Sequence, residues 1–215
     1  MEMKAKMDAK HKKLVLSIVV GAIGGFLVSF TLMRTIQSGV LGELGASRSI
    51  AAVAGSMYVL CGAFVGFGSL NPKMGAKFLN VEDADELAEQ SAILRNSTMG
   101  IGAFGVCLIL LALAAPLGPV PQGVVAGSIV ALMALCAFTS LRSVKLMDEL
   151  NASLSKETAV ASFYLMFTLG AGWSVAAHLG YAPGLAALDW LTLFAATMLA
   201  GAFWAAGRRG LLVPR

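Results

Sequence analysis

Six long runs of apolar residues, separated by shorter polar stretches, constrain the fold of this chain more than any other feature. A helix needs about 20 apolar residues to cross the hydrocarbon core of a bilayer. Composition agrees, because 58% of the 215 residues are hydrophobic and only 13% are charged, with a mean hydropathy of +0.80. The sequence therefore predicts an all-α polytopic membrane protein with six transmembrane helices, at residues 14–33, 50–70, 97–115, 123–141, 158–179 and 185–206.

The connections between these runs predict three antiparallel helical hairpins in a single transmembrane domain, residues 1–211. Residues 116–121 contain three prolines and no charge, which favours a tight turn between the third and fourth spans. Residues 180–184 join the last two spans, and the Gly-rich stretch 34–49 predicts a longer irregular loop. The last four residues, 212–215, read Leu-Val-Pro-Arg, the thrombin recognition sequence, and we interpret them as a protease-site remnant outside the fold.

The distribution of basic residues predicts the orientation of the bundle. With six spans and both termini in the cytoplasm, fourteen of the sixteen Lys and Arg residues fall on the cytoplasmic side. Cytoplasmic loops of membrane proteins carry such an excess. The small size and the lack of a targeting segment favour a bacterial inner membrane. A basic leader that includes Lys10, Lys12 and Lys13 is expected to bind anionic headgroups, so we assign the positive net charge to lipid and not to nucleic acid.

Two polar segments on the predicted cytoplasmic side, residues 71–96 and 142–157, read as amphipathic helices. In the first, Asn80 followed by Glu82 and Asp83 predicts an N-cap with acids in the first turn. The spacing of the acids is not that of a calcium loop, so a solvated face is favoured over a metal site. These segments offer a surface for a cytoplasmic protein partner.

A weak internal repeat is also present. Asp85-Glu86-Leu87 recurs at positions 148–150, and the Leu-Gly-x-x-Pro pattern that begins at Leu117 recurs from Leu179, with almost the same offset along the chain. Two interpretations stay open: a parallel repeat, as in some transporters, or a similarity imposed by the shared composition of short turns and membrane-entry helices.

His178 and Asp189 are the ionisable residues that the predicted spans place inside the membrane. They lie at similar depth on helices joined by a short turn, so a His–Asp hydrogen bond is geometrically simple. Helical periodicity adds three polar neighbours to this candidate site, Tyr164, Thr168 and Thr192. Such a site suits proton coupling or cation binding. The alternative, favoured by the shallow depth, is an interfacial role beside the aromatic residues Trp173, Tyr181 and Trp190.

Arg34, Glu43 and Arg48 form a second candidate cluster on the outer side, in the loop after the first span. The small-residue motifs Gly21-x-x-x-Gly25 and Gly62-x-x-x-Gly66 indicate close helix packing and are compatible with homo-oligomers. The three cysteines each fall within a span and are expected to be free thiols. No catalytic motif, metal-ligand pattern or cofactor-binding motif is recognisable.

The sequence supports two hypotheses for function. The first is a small transporter or channel-like protein for a small solute or cation, based on the small residues, the candidate repeat and the His178–Asp189 pair. The second is a non-transporting membrane scaffold, sensor or assembly factor that acts through segments 71–96 and 142–157. An enzyme is not expected.

Overall fold

The computed structural model describes residues 2–41, 44–76, 79, 81 and 83–212, with side chains of the first helix described at 15, 19 and from 21 onward. This part of the chain is helical and contains no strand. Its helices are α1 (Glu2–Gln37), α2 (Ala46–Leu70), α3 (Pro72–Gly75), α4 (Ala84–Ala112), α5 (Gln122–Leu146), α6 (Glu149–His178) and α7 (Ala187–Arg208).

Five of these helices, α2, α4, α5, α6 and α7, are long and apolar enough to cross a membrane. The prediction of a helical integral membrane protein is therefore supported by the structure. The first predicted span, residues 14–33, lies within the 36-residue helix α1. Several of its side chains fall outside the described set, so the sixth span stays a prediction.

Two helices are longer than the spans predicted for them. Helix α4 has 29 residues and α6 has 30, so each is about 43 to 45 Å long and exceeds the roughly 30 Å hydrocarbon core. The amphipathic stretch before residue 97 is thus not a separate helix but the first three turns of α4. Leu87 in that stretch is fully buried, and a side chain at Gly75 of α3 would collide with it.

Aspartate caps determine where these long helices begin. Asp83 accepts hydrogen bonds from the backbone N–H groups of Asp85 and Glu86, at 3.0 and 2.9 Å. The N-cap of α4 is therefore Asp83, in place of the predicted Asn80, which lies outside the described residues. Asp148 caps α6 through the N–H of Asn151 at 2.7 Å. The segment 142–157, predicted as one amphipathic helix, is consequently divided between α5 and α6.

The long helices form two groups. Helices α2, α4 and α7 pack against one another, with the most extensive contact between α2 and α4. We call these the inner helices. The others each pack mainly against one inner helix: α1 on α2, α5 on α4, and α6 on α7. We call these the outer helices. In the most apolar window of each helix, 22–28% of the residues are buried in the inner helices and 11% in α5 and α6.

Glycines allow the two central helices to approach closely. A Cβ on Gly55 of α2 would lie 2.6 Å from the carbonyl oxygen of Gly105 on α4, and a Cβ on Gly105 would lie 2.6 Å from that of Gly55. A side chain at Gly66 would meet the methyl group of Thr98 at 2.8 Å. Small residues on both helices therefore bring the two backbones into contact, as is common in membrane helix pairs.

The bundle has two distinct ends. One end, which we call the turn end, carries residues 38–41, 44–45, 113–121 and 179–186; the other, the linker end, carries residues 71–76, 79, 81, 83 and 147–148. The connection between α1 and α2 is shorter than the predicted loop 34–49, because α1 continues to Gln37 and α2 begins at Ala46. Gly39 has a positive φ of 76° in that turn, a conformation that glycine adopts at little cost.

Candidate functional site

His178 and Asp189 are not joined by a hydrogen bond within the described part of the chain. Asp189 is engaged locally, because its Oδ2 accepts the backbone N–H of Ala186 at 2.8 Å and so caps the start of α7. A carboxylate at a helix N-terminus is stabilised by the unpaired N–H groups and the helix dipole. His178, the last residue of α6, is exposed.

The other predicted members of this site are dispersed. Tyr164 and Thr168 are exposed on α6, and the Tyr164 ring packs edge-to-face on Phe163. Thr192 is buried, and its hydroxyl donates to the carbonyl oxygen of Leu188 in the same helix, at 2.9 Å. Asp189 and Thr192 do share a cavity of about 390 Å³, but His178, Tyr164 and Thr168 are not among its lining residues.

The candidate outer cluster is also divided. The Arg34 guanidinium lies over the Phe30 ring, 5.3 Å from its centroid. Arg48 instead donates hydrogen bonds to the carbonyl oxygens of Ala112, at 3.3 Å, and of Ala114. It thereby caps the C-terminus of α4, where a positive charge is favourable. Glu43 lies outside the described residues.

A groove that the sequence did not predict as a site lies between α5 and α7, with α4 as its floor. Its volume is about 390 Å³, within the range of small-molecule sites. We call it the Asn96 groove. Polar residues and Met147 line its linker end: Asn96, Ser97, Thr139, Ser140, Ser143 and Met147. Apolar or aromatic residues line most of the remainder: Tyr58, Gly100, Ile101, Phe104, Cys136, Phe194 and Met198.

Asn96 organises the polar end of the groove. It is 7% exposed, and its Nδ2 donates to the carbonyl oxygen of Thr139 at 2.5 Å and to the Ser143 hydroxyl at 2.6 Å. Both partners are on α5, so the carboxamide connects α5 to α4. Among the described residues no group donates to Asn96 Oδ1. Ser140 is exposed and lines the groove beside it, so one acceptor and one hydroxyl are available there.

Three aromatic rings form the apolar end. Tyr58 is 8% exposed; its hydroxyl donates to the carbonyl oxygen of Ala195 at 2.7 Å, which links α2 to α7. The Phe104 ring lies edge-to-face against Tyr58 at 5.2 Å and against Phe194 at 6.5 Å. Edge-to-face contacts of this kind stabilise the arrangement beyond simple burial. This end of the groove is therefore a rigid apolar wall.

The chemistry of the groove suits an uncharged ligand. None of its lining residues is Asp, Glu, Lys, Arg or His, and the described residues contain no group of three or more His, Cys, Asp or Glu that could hold a metal ion. A charged ligand would find no counter-charge among these lining residues, and any part of its charge that was removed from water would be desolvated at a cost. Neutral hydrogen-bonding groups are recognised without that cost.

No family model matches this sequence, and neither a curated protein nor a solved structure is detectably similar to it. The proposed function therefore rests on the geometry of the site.

Proposed function

We propose that this chain is a small transporter or channel-like membrane protein, and that the Asn96 groove binds its solute. The solute is a small, uncharged molecule with hydrogen-bonding groups. One observation carries this proposal: a buried carboxamide with a free acceptor opens into a cavity between membrane-spanning helices. A buried polar group is costly unless all of its hydrogen-bonding capacity is met, so a ligand that donates to the open acceptor of Asn96 would be bound favourably.

This proposal selects a neutral solute over the cation that the sequence also allowed. Carboxylates and imidazoles bind cations in proteins, and the groove lining has neither. Asp189 is committed to the N-terminus of α7 through the N–H of Ala186. Neutral solutes of the carboxamide or hydroxyl class match the available donors and acceptors at Asn96 and Ser140.

A flux experiment in proteoliposomes tests the proposal. Potassium, glycerol and a fluorescent monoacylglycerol would be compared as probes, each against vesicles that lack the protein. We expect faster movement of at least one uncharged probe and no increase for potassium. The double variant Asn96→Leu with Ser140→Val should abolish the increase, because it removes the polar end of the groove. Thr168→Val is the matched control, since it removes an exposed hydroxyl of α6 outside the groove.

Two results would contradict the proposal. The first is an unchanged rate for the uncharged probes in the double variant, which would place the path elsewhere. The second is a protein-dependent flux of potassium alone.

A second candidate function, a scaffold, sensor or assembly factor, is supported by the length of α4 and α6. Both helices exceed the hydrocarbon core, so their first turns extend into water at the linker end. Asp85 and Glu89 are exposed there and provide an acidic face for a basic partner protein. The double variant Asp85→Asn with Glu89→Gln tests this surface. If it captures a defined partner protein as well as the unchanged chain does, this surface is not the binding site.

The proposed topology completes this account. Six spans arranged as three hairpins, with both termini in the cytoplasm, would make the linker end cytoplasmic. The bacterial inner membrane, anionic lipid at Lys10, Lys12 and Lys13, and association into homo-oligomers belong to the same proposal. The distribution of Lys and Arg residues supports the orientation and the lipid contact. The small size of the chain supports the bacterial inner membrane, and the small-residue motifs of the first two predicted spans support oligomers.

A further inference from the structure

The Asn96 groove opens sideways, toward the surroundings of the bundle. Helix α5 packs mainly on α4, and α6 packs mainly on α7, so in the described part of the chain no outer helix covers the space between α5 and α7. Two apolar side chains at this opening are exposed, Ile101 by 40% and Phe194 by 46%. In a membrane these side chains face lipid. A molecule dissolved in the bilayer can therefore reach the groove without passing through water.

The polarity of the groove changes along its length. At the linker end, Asn96, Ser140 and Ser143 provide hydrogen-bonding groups; toward the middle of the bundle, Phe104 and Phe194 provide only apolar surface. Asn96 and Phe104 are separated by about two turns of α4, or about 12 Å along the helix. One leaflet of hydrocarbon is about 15 Å thick. The groove thus has the length and the polarity gradient of a single leaflet.

The polar end lies at the level expected for headgroups. Arg95 and Arg142 are exposed and directly precede Asn96 and Ser143 in sequence. Charged side chains mark the boundary of the hydrocarbon because they remain in water or among headgroups. The apolar run of α4 begins at Met99, three residues after Asn96. A ligand with its polar group at Asn96 would therefore keep its hydrocarbon chain inside the bilayer.

We infer that the ligand of the Asn96 groove is an uncharged, single-chain amphiphile, taken laterally from the leaflet at the linker end. Its head carries a hydroxyl or amide donor that donates to Asn96 Oδ1 and a second polar group that pairs with the Ser140 hydroxyl, and its chain lies against Phe104 and Phe194. This inference rests on the proposed role of the groove as the binding site and specifies the class of solute. A monoacylglycerol has the required chemistry: a neutral head with donors and acceptors, and one acyl chain.

Photo-crosslinking of the protein in lipid vesicles tests this inference. The probe is a monoacylglycerol with a diazirine in its acyl chain, and mass spectrometry of the peptides identifies the labelled residues. We expect labelling at the apolar end of the groove, near Ile101, Phe104 and Phe194. Ser140→Val should reduce this labelling about threefold, and Asn96→Leu with Ser140→Val about tenfold, through the loss of one and two hydrogen bonds.

Ser140→Val also separates recognition from folding, because Ser140 is exposed and makes no hydrogen bond within the described part of the chain. Thr168→Val on α6 is the control and should leave labelling unchanged. Two results would overturn the inference: labelling spread over the lipid-facing surfaces of α5 and α6 and insensitive to both groove variants, or equal or stronger labelling of the groove by a fatty-acid probe of the same length, whose head is charged.

The inference and the proposed function fail in different ways. If glycerol crosses vesicles through the protein but the monoacylglycerol does not label the groove, the solute is water-soluble and the inference is wrong. If the groove is labelled but no uncharged probe crosses the bilayer, the amphiphile is bound and the proposed transport is wrong.

Discussion

The inner and outer helices of this protein are equally suited to a membrane by length and composition, yet they are packed in different ways. Inner helices meet through glycines and small side chains, as at Gly55 and Gly105, where the two backbones touch. Outer helices share some close contacts of this kind, as where Gly201 of α7 meets the backbone of α6 at Ser162, but they are less buried and are also attached through polar contacts. Asn96 holds α5 to α4, and Arg209, the residue following α7, holds α6 through Glu157, at 2.6 and 3.1 Å.

This difference shows that hydropathy does not predict how closely each helix packs against its neighbours. An apolar surface is equally stable against lipid or against another helix, so association in a bilayer depends on van der Waals fit and polar contacts. Close-fitting small residues produce a rigid contact between inner helices. Beside the hydrogen bonds from Asn96 to α5, a space remains between α5 and α7. This space is the Asn96 groove.

The largest predicted effect comes from filling the central glycine contact. Gly105→Leu should destabilise the fold by about 3 kcal/mol, because any side chain there would meet the Gly55 carbonyl oxygen and the backbone of α2. The matched variant is Gly127→Leu on α5, where a new Cβ meets nothing within 4 Å. Unfolding of both variants in a denaturing-detergent titration checks this prediction. Equal losses of stability would remove the distinction between inner and outer helices.

A smaller effect is expected from the arginine that joins two inner helices. Arg48→Met should cost about 2 kcal/mol, because the carbonyl oxygens of Ala112 and Ala114 lose a charged donor. Among the described residues, Arg34→Met on α1 removes a contact with the Phe30 ring and should cost about 0.5 kcal/mol. The same titration measures both. An Arg34 variant as unstable as the Arg48 variant would show that α1 belongs with the inner helices.

The smallest effect is predicted at the contact that attaches α6. Arg209 donates to both carboxylate oxygens of Glu157 and to the Ser153 hydroxyl, and the bond to Glu157 raises the pKa of its guanidinium. Both side chains remain partly exposed, so salt screens the pair. Arg209→Gln should lower the melting temperature slightly at low salt and leave it unchanged at high salt, whereas Arg208→Gln, whose charge also acts on Glu157 but without a hydrogen bond to it, should show a smaller salt dependence. A large, salt-independent loss with Arg209→Gln would indicate a packing role.

Much of the helical layout was accessible from sequence, because apolar runs and capping residues act locally. Five apolar runs correspond to helices suited to a membrane, and acidic residues do begin α4. Boundaries were less accurate. The amphipathic turns before residue 97 continue directly into α4, because no Gly or Pro interrupts the chain between them.

The candidate site was harder to predict, because it depends on which faces of the helices meet. Their similar depth makes His178 and Asp189 a candidate pair from sequence, but Asp189 caps the N-terminus of its own helix. Asn96 was assigned to the end of a polar segment. A usable signal was present: Asn96 and Ser140 lie at equal distances along the chain from Gly118 in the turn between α4 and α5. Polar residues paired in this way across a helical hairpin are expected to meet.

The repeat in the sequence has a partial counterpart in the structure. Helices α4 and α6 begin at Ala84 and Glu149, and helices α5 and α7 begin at Gln122 and Ala187, so the two pairs are offset equally along the chain. Their packing roles are exchanged, however, because α4 and α7 are inner helices whereas α5 and α6 are outer ones. The spacing of the helices along the chain is therefore repeated, whereas their positions in the bundle are not.

An experimental structure in a lipid nanodisc, with a rigid antibody fragment bound to aid image alignment, tests the central claim most directly. We predict that α5 contacts α4 but stays apart from α7, with elongated density between them whose polar end reaches Asn96 and Ser140. The contradicting result is a helix α5 that packs along α7 and closes the groove, with Asn96 bonded only within the protein.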